Sequence, residues 1–317
     1  MDSIYFLVQQ TMFFSIPLLV VALGGMFSER SGVVNIALEG IMVIGAFASI
    51  FTISVLQNSM SGQLLLIIAI LVSIAAGMVF SVFHAFASIN LKADQVISGT
   101  ALNMFAPAFA TFVARTIQGT QAINFVNTFR IDSVPLLGSI PVLGPLLFQN
   151  TYITTYLGFI ILAVAAFVLY RTRFGLRLRS CGEHPQAADS VGINVYKIRY
   201  AGVLISGALA GLGGLIFVVP TATNFNATVA GYGFLALAVL IFGQWRPKRI
   251  LLAAFFFGLM KTIAAAYSGL SFLNDLGIPQ DIYKMIPYIA TLIVLALTSK
   301  RSQAPKASGI PYDKGKR

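Results

Sequence analysis

The chain has 317 residues, of which 57% are hydrophobic and only 10% charged, with a mean hydropathy of +0.86. A soluble domain would carry roughly a quarter of its residues as charges, so that class is excluded, and a β-barrel would need period-two alternation in ~10-residue segments. The net charge of +11 would point to nucleic acid in a soluble protein; here the bias of Lys and Arg toward cytoplasmic loops accounts for it, and no nucleic-acid partner is expected.

Taken in chain order, the apolar runs predict an all-α polytopic membrane protein with about nine transmembrane helical segments. These are 4–27, 33–56, 64–88, 96–118, 151–170, 198–219, 231–243, 250–272 and 282–299. Most approach or exceed the ~18 residues that cross a ~30 Å hydrocarbon core. The seventh, at ~20 Å, is too short to cross and is expected to be a half-spanning helix with its ends buried in protein. The first run has no positive leader and continues to Phe27, so it is expected to be a retained helix rather than a signal peptide. Between the fourth and fifth segments, PLLGSIPVLGPLLF (135–148) is apolar but broken by three prolines, which fits a surface-lying or re-entrant segment.

All but four of the 21 basic residues fall on one side of this arrangement, the exceptions being Arg115, Arg130, Lys261 and Lys284. That side is expected to be cytoplasmic. An odd number of spans then places the N-terminus outside and the C-terminus inside, in the plasma membrane of a prokaryote. The domain division that follows is a permease domain over 1–299, with a cytoplasmic loop at 171–197, and a tail over 300–317. The tail is basic and poor in apolar residues, so it is expected to be disordered and to lie near anionic membrane lipid.

No enzyme motif is present: there is no phosphate-binding loop, no HExxH and no Cys/His cluster. His84 and His184 fall in different segments, and the single cysteine, Cys181, excludes an intrachain disulfide. No metal and no cofactor is expected in this chain, and any ATPase motor must be a separate subunit.

The insert RTRFGLRLRSCGEHPQAADSVGINVYKIR (171–199) is the one soluble-looking stretch between apolar runs. Gly182 and Pro185 bracket a turn, with a helical pattern through Ala187, Ala188, Val191 and Gly192, and Glu183 sits where a helix N-terminus favours a carboxylate. Taken by itself, it also fits an ordinary solvated loop with cytoplasmic positive charge. In SERSGVVNIALEGIMVIGAF (28–47), Asn35 and Glu39 are four apart and are expected on one helix face, either lining a translocation path or forming a hydrogen-bonded knot. Asn103, ahead of Pro107, is a path residue or satisfies backbone near a kink. His84 and the glycines of SGALAGLGG (206–214) fit structural roles, and Lys261 and Lys284 are expected to snorkel or pair with Asp275 or Asp281. Trp245, closing GYGFLALAVLIFGQWRP (231–247), is expected to be an interfacial anchor.

Three of these stretches carry a resemblance. GEHPQAADSVGINV (182–195) is similar to the coupling loop of ABC importer permeases of the branched-chain amino-acid, ribose and nucleoside group. SGVVNIALEG (31–40) and the Phe-Gly-x-Trp ending at 242–245 resemble the nucleoside branch, although the glycine-rich turn found in sugar permeases is absent. The resemblance implies a type II-like fold, as in the vitamin B12 importer. Gly182, Glu183, His184, Pro185, Ala187, Ala188 and Gly192 would then contact an ATP-hydrolysing subunit, which alone would bind ATP. It also implies a second permease subunit, an extracellular substrate-binding lipoprotein and a nucleoside substrate. The chain looks like the shorter permease of a heterodimeric pair. Simple sugars or branched-chain amino acids are the alternative cargo, and an ion-coupled secondary transporter is the alternative class.

Overall fold

The computed structural model describes residues 2–60, 62–266, 279–298 and 303–315. Asp275 and the segment ends beyond Ala266 and Thr298 lie outside the described residues. The elements in order are α1 (Asp2–Arg30), α2 (Leu38–Leu56), α3 (Gln63–Ala85, continued by a π-helical turn, Phe86–Asn90) and α4 (Gln95–Gln118). There follow β1 (Ile123–Asn124), β2 (Ile131–Ser133), a second π turn (Gly144–Phe148) and β3 (Gln149–Thr151). Then come α5 (Ile153–Arg171), α6 (Arg173–Glu183), α7 (Pro185–Ser190), α8 (Val195–Thr221), β4 (Asn224–Phe225), α9 (Tyr232–Phe242), α10 (Pro247–Ala266) and α11 (Gln280–Thr298).

The described protein is mostly helical, and seven helices are long and apolar enough to cross a membrane: α1, α2, α3 with its π turn, α4, α5, α8 and α10. α9 is apolar but has only 11 residues. The strands form two short antiparallel ribbons, β1 with β4 and β2 with β3, which tie the connections at one end of the bundle. In the 135–148 stretch, Leu136, Leu137, Ile140, Val142 and Leu143 are exposed.

α8 is the centre of the packing and touches α1, α2 and α3. Its glycines make this possible: a Cβ on Gly207, Gly211 or Gly214 would collide with α3 or with the Met42 carbonyl of α2. Such small-residue contacts let helix backbones approach closely where lipid supplies no hydrophobic drive between helices. α4 and α5 turn most of their residues outward.

Three expectations are corrected here. The second apolar run is helical only from Leu38, not from Val33. Gly32 has a left-handed φ of +97°, and the following backbone is claimed by side chains: the Val34 amide donates to Gln95 Oε1 at 2.7 Å and Ser28 Oγ donates to the Val33 carbonyl at 2.7 Å. The insert over 171–197 is a pair of helices, not a loop around one. Thr172 Oγ1 caps α6 by accepting from the Gly175 amide, Pro185 opens α7 and Gly192, at φ +84°, closes it.

The tail, expected to be disordered, is folded back over residues 303–315. The Ala307 amide donates to the Gly182 carbonyl at 2.8 Å, Arg199 Nη1 donates to the Ile310 carbonyl at 3.0 Å, and Lys92 pairs with Asp313 at 3.1 Å. Tyr312 is buried edge-on against Tyr196, with centroids 5.4 Å apart. Composition alone does not report these backbone bonds, nor one aromatic that finds a slot.

Candidate functional site: the coupling end and the short helix

α6 is amphipathic, burying Gly175, Leu178, Cys181 and Gly182 while Arg173 and Arg177 stay exposed. Of the residues singled out in the insert, Gly182, Pro185 and Ala188 face inward. His184, Ala187 and Gly192 face outward beside Val191, which is 75% exposed, and Glu183 is half-buried. Gly182 is where α6 meets the end of α1, since a Cβ there would collide with the Arg30 carbonyl. One residue on, Glu183 lies 3.7 Å from Arg30. Gly192 ends α7 and Asn194 immediately caps α8, its Oδ1 accepting from the Lys197 amide at 3.0 Å. The insert is therefore a small rigid unit with an outward face, fixed to α1, α8 and the tail.

Asn35, Glu39 and Asn103 are brought together, but not as one helix face. Asn35 precedes α2; its Nδ2 donates to Ser206 Oγ at 2.9 Å and its Oδ1 accepts from the Ala37 amide at 3.1 Å. Asn103 reaches from α4 to the start of α2, accepting from the Gly40 amide at 2.7 Å and donating to the Ile36 carbonyl at 2.9 Å. Glu39, in the first turn of α2, accepts from the amides of Gly231 at 2.9 Å and Gly233 at 2.6 Å. Its carboxylate thus caps the N-terminus of α9, where free amides and the helix dipole both favour negative charge. Gly233 must be glycine because a Cβ would collide with the Glu39 backbone.

The other end of α9 is also fixed. Gln244 and Trp245 both take left-handed φ values, +49° and +54°, uncommon for residues with side chains. Gln244 Oε1 accepts from the Gln303 amide of the tail at 2.9 Å, and Trp245 Nε1 donates to Glu29 at 2.6 Å. The Trp245 carbonyl accepts from Arg30 at 3.2 Å. Trp245 is 4% exposed and is not the interfacial anchor expected. Sequence reasoning missed Glu29 as its partner; the available signal was an acid, Glu29, at the end of an apolar run.

His84 is fully buried between the Val34 carbonyl (2.9 Å) and Ser98 Oγ (3.2 Å). Lys284 pairs with Asp281 at 3.1 Å, whereas Lys261 lies over the rings of Tyr232 and Tyr288, at 5.7 and 5.4 Å, rather than beside Asp281. Cys181, outside the spanning helices, is buried, and burial pushes its thiol up to about 11. Among the described residues no group of His, Cys, Asp and Glu could hold a metal.

Residues 7–295 match the family model described as "Branched-chain amino acid transport system / permease component". The chain is 46% identical over 317 residues to the guanosine ABC transporter permease protein NupQ of Bacillus subtilis, covering 98% of this chain and 97% of that one. It is 42% identical over 316 residues to the nucleoside ABC transporter permease protein NupC of Lactococcus lactis subsp. cremoris, covering 99% of each. It is 32% identical to the putative glucose ABC transporter permease protein TsgC13 of Haloferax volcanii, covering 90% of this chain and 89% of that one. No solved structure matches. With a family match over nearly its whole length, the chain belongs to the branched-chain amino acid transport system permease family, as a multi-pass membrane component of an ABC transporter and not an enzyme.

Proposed function

We propose that this chain is the membrane permease of an ATP-driven importer of nucleosides, forming half of the translocation pathway. The observation that carries the cargo class is the full-length similarity at 46% and 42% to permeases named for guanosine and for nucleosides. A second permease subunit supplies the other half of the path, in a heterodimer. Two ATP-binding subunits supply the driving force, and an extracellular lipoprotein delivers the solute. α9 as a half-span and α11 as a span complete nine segments of a type II-like permease, with the N-terminus outside and the C-terminus in the cytoplasm.

In this reading the outward face of α6 and α7, with Glu183, His184, Ala187 and Gly192, meets the ATPase, while Gly182, Pro185 and Ala188 hold it in place. Rigid attachment of that pair to α1 and α8 supports the assignment, because a coupling element must move helices rather than itself. Asn35, Glu39 and Asn103 fix the start of α2 against α8, α9 and α4, keeping the half-helix in position beside the path.

The cargo is tested by uptake of labelled guanosine in cells lacking this chain and in complemented cells, with uridine, ribose and leucine as competitors. Uptake lost on deletion, restored on complementation and blocked by nucleosides alone is the expected result. The similarity to TsgC13 favours a sugar as the second reading, and guanosine uptake unchanged by deletion, in cells without a redundant carrier, would support it. Uptake that survives ATP depletion but not an uncoupler would overturn the ABC mechanism.

A further inference from the structure

Asn35, Glu39 and Asn103 spend their polar atoms on protein partners, so recognition of a solute in transit needs other groups. A cleft of about 370 Å³ beside the start of α9 is lined by Phe217, Tyr232, Lys261, Ala265, Lys284 and Tyr288 among others. That volume lies within the ~300–1,000 Å³ typical of small-molecule sites.

Three observations set this surface apart from one that faces lipid. Tyr232 is 3% exposed, yet its hydroxyl has no hydrogen-bond partner among the described residues. A buried hydroxyl left unpaired is destabilising, so such groups are kept where something else comes to pair them. Lys261 has no carboxylate within 4 Å among the described residues, and its ammonium rests between the faces of Tyr232 and Tyr288. It lies fourteen residues into α10, about 20 Å from the start of that helix, a depth at which a cation faces a cavity or a partner and not hydrocarbon. Finally, Phe217 packs on the buried Tyr232 ring with centroids 4.1 Å apart, and Tyr288, which lines the same cleft, is 55% exposed and supplies an open aromatic surface.

We propose that this cleft is a transit site that holds the base of a nucleoside; the proposal rests on the nucleoside reading and adds to it where the base is held. Aromatic faces stack any flat heteroaromatic ring, since every base has a π-face. The Lys261 ammonium donates to the carbonyl and ring-nitrogen acceptors of the base, and the Tyr232 hydroxyl completes the pairing. The ligand class is a neutral, flat, acceptor-rich ring. A cationic solute would meet two lysines, offset among the described residues by the Asp281 partner of Lys284. The cleft opens where a helix begins within the bundle, the kind of discontinuity at which transporter sites are built.

The test uses the complete transporter with its ATPases and binding protein. An Ala265→Cys reporter, with guanosine uptake measured in parallel, is treated with a permanently charged methanethiosulfonate that reacts only in water; the native Cys181 is buried and serves as the background control. The expected result is labelling that guanosine slows by about tenfold when supplied at about nine times its Kd, where only about a tenth of the clefts stay empty, and that ribose does not slow. Tyr232→Phe and Lys261→Met should each lower guanosine uptake about tenfold at unchanged expression.

No labelling would mean that the cleft is dry and overturns the proposal. Labelling unprotected by guanosine, in a complex that still takes it up, overturns the site and leaves the nucleoside reading intact. Equal protection by ribose overturns recognition of the base. A complex that takes up ribose or glucose but not guanosine overturns the nucleoside reading itself.

Discussion

Glu39 offers the sharpest test of how the short helix is held. Replacing it with alanine removes acceptors from two amides, those of Gly231 at 2.9 Å and Gly233 at 2.6 Å, at the N-terminus of α9. Hydrogen bonds to charged groups contribute about 1.5–3 kcal/mol each in soluble proteins, whereas buried polar pairs in membrane bundles average about 0.6. Glu39 is half-buried, so both bonds together are expected to be worth about 2 kcal/mol. Glutamine keeps one carbonyl acceptor but turns an NH₂ toward the second amide, so Glu39→Gln should lose about half as much. The assay is the thermal midpoint of the detergent-purified transporter, with uptake measured alongside. At about 2–4 °C per kcal/mol, Glu39→Ala should fall by about 6 °C and Glu39→Gln by about 3 °C. An alanine variant as stable as the parent, or a glutamine variant worse than alanine, would refute the capping argument.

Gly182→Leu forces a side chain into the Arg30 carbonyl and is expected to abolish uptake while membrane insertion, checked by fractionation, stays normal. Trp245→Phe leaves Glu29 without its 2.6 Å donor and should lower stability by about 1–3 kcal/mol, read as a lower midpoint. Cys181 should resist a neutral maleimide at pH 7.5 in the folded transporter and react on denaturation. Burial raises its pKa from 9.0 to about 11, so its contribution to stability is complete below about pH 9 and is lost as pH rises toward 11. Rapid labelling of the native protein would contradict the burial.

The sequence made the helices legible because lipid demands long apolar runs, and it located the insert because six Arg and Lys residues between two such runs are conspicuous. α9 was legible as short, from Gly231 and Gly233 at one end and Gln244 to Pro247 at the other. What it did not disclose was pairing across the chain. Glu39 and Gly233 are 194 residues apart, and Glu29 and Trp245 are 216 apart. A four-residue spacing put Asn35 and Glu39 on one helix, but Gly32 and the Gln95 side chain hold the backbone out of helix until Leu38. The tail failed for the same reason: its order comes from Gly182, Gln244 and Arg199, none of them near it in sequence.

The short helix α9 is fastened at both tips, to α2 through Glu39 and to α1 through Trp245. Eleven residues make a rod of about 16 Å, too short to bend appreciably along its length. A strut pinned in this way cannot tilt by itself; any rotation carries α1 and α2 with it. A displacement at Arg30, which touches both Glu183 and the Trp245 carbonyl, is therefore passed along α9 toward the Tyr232 end and on to α2.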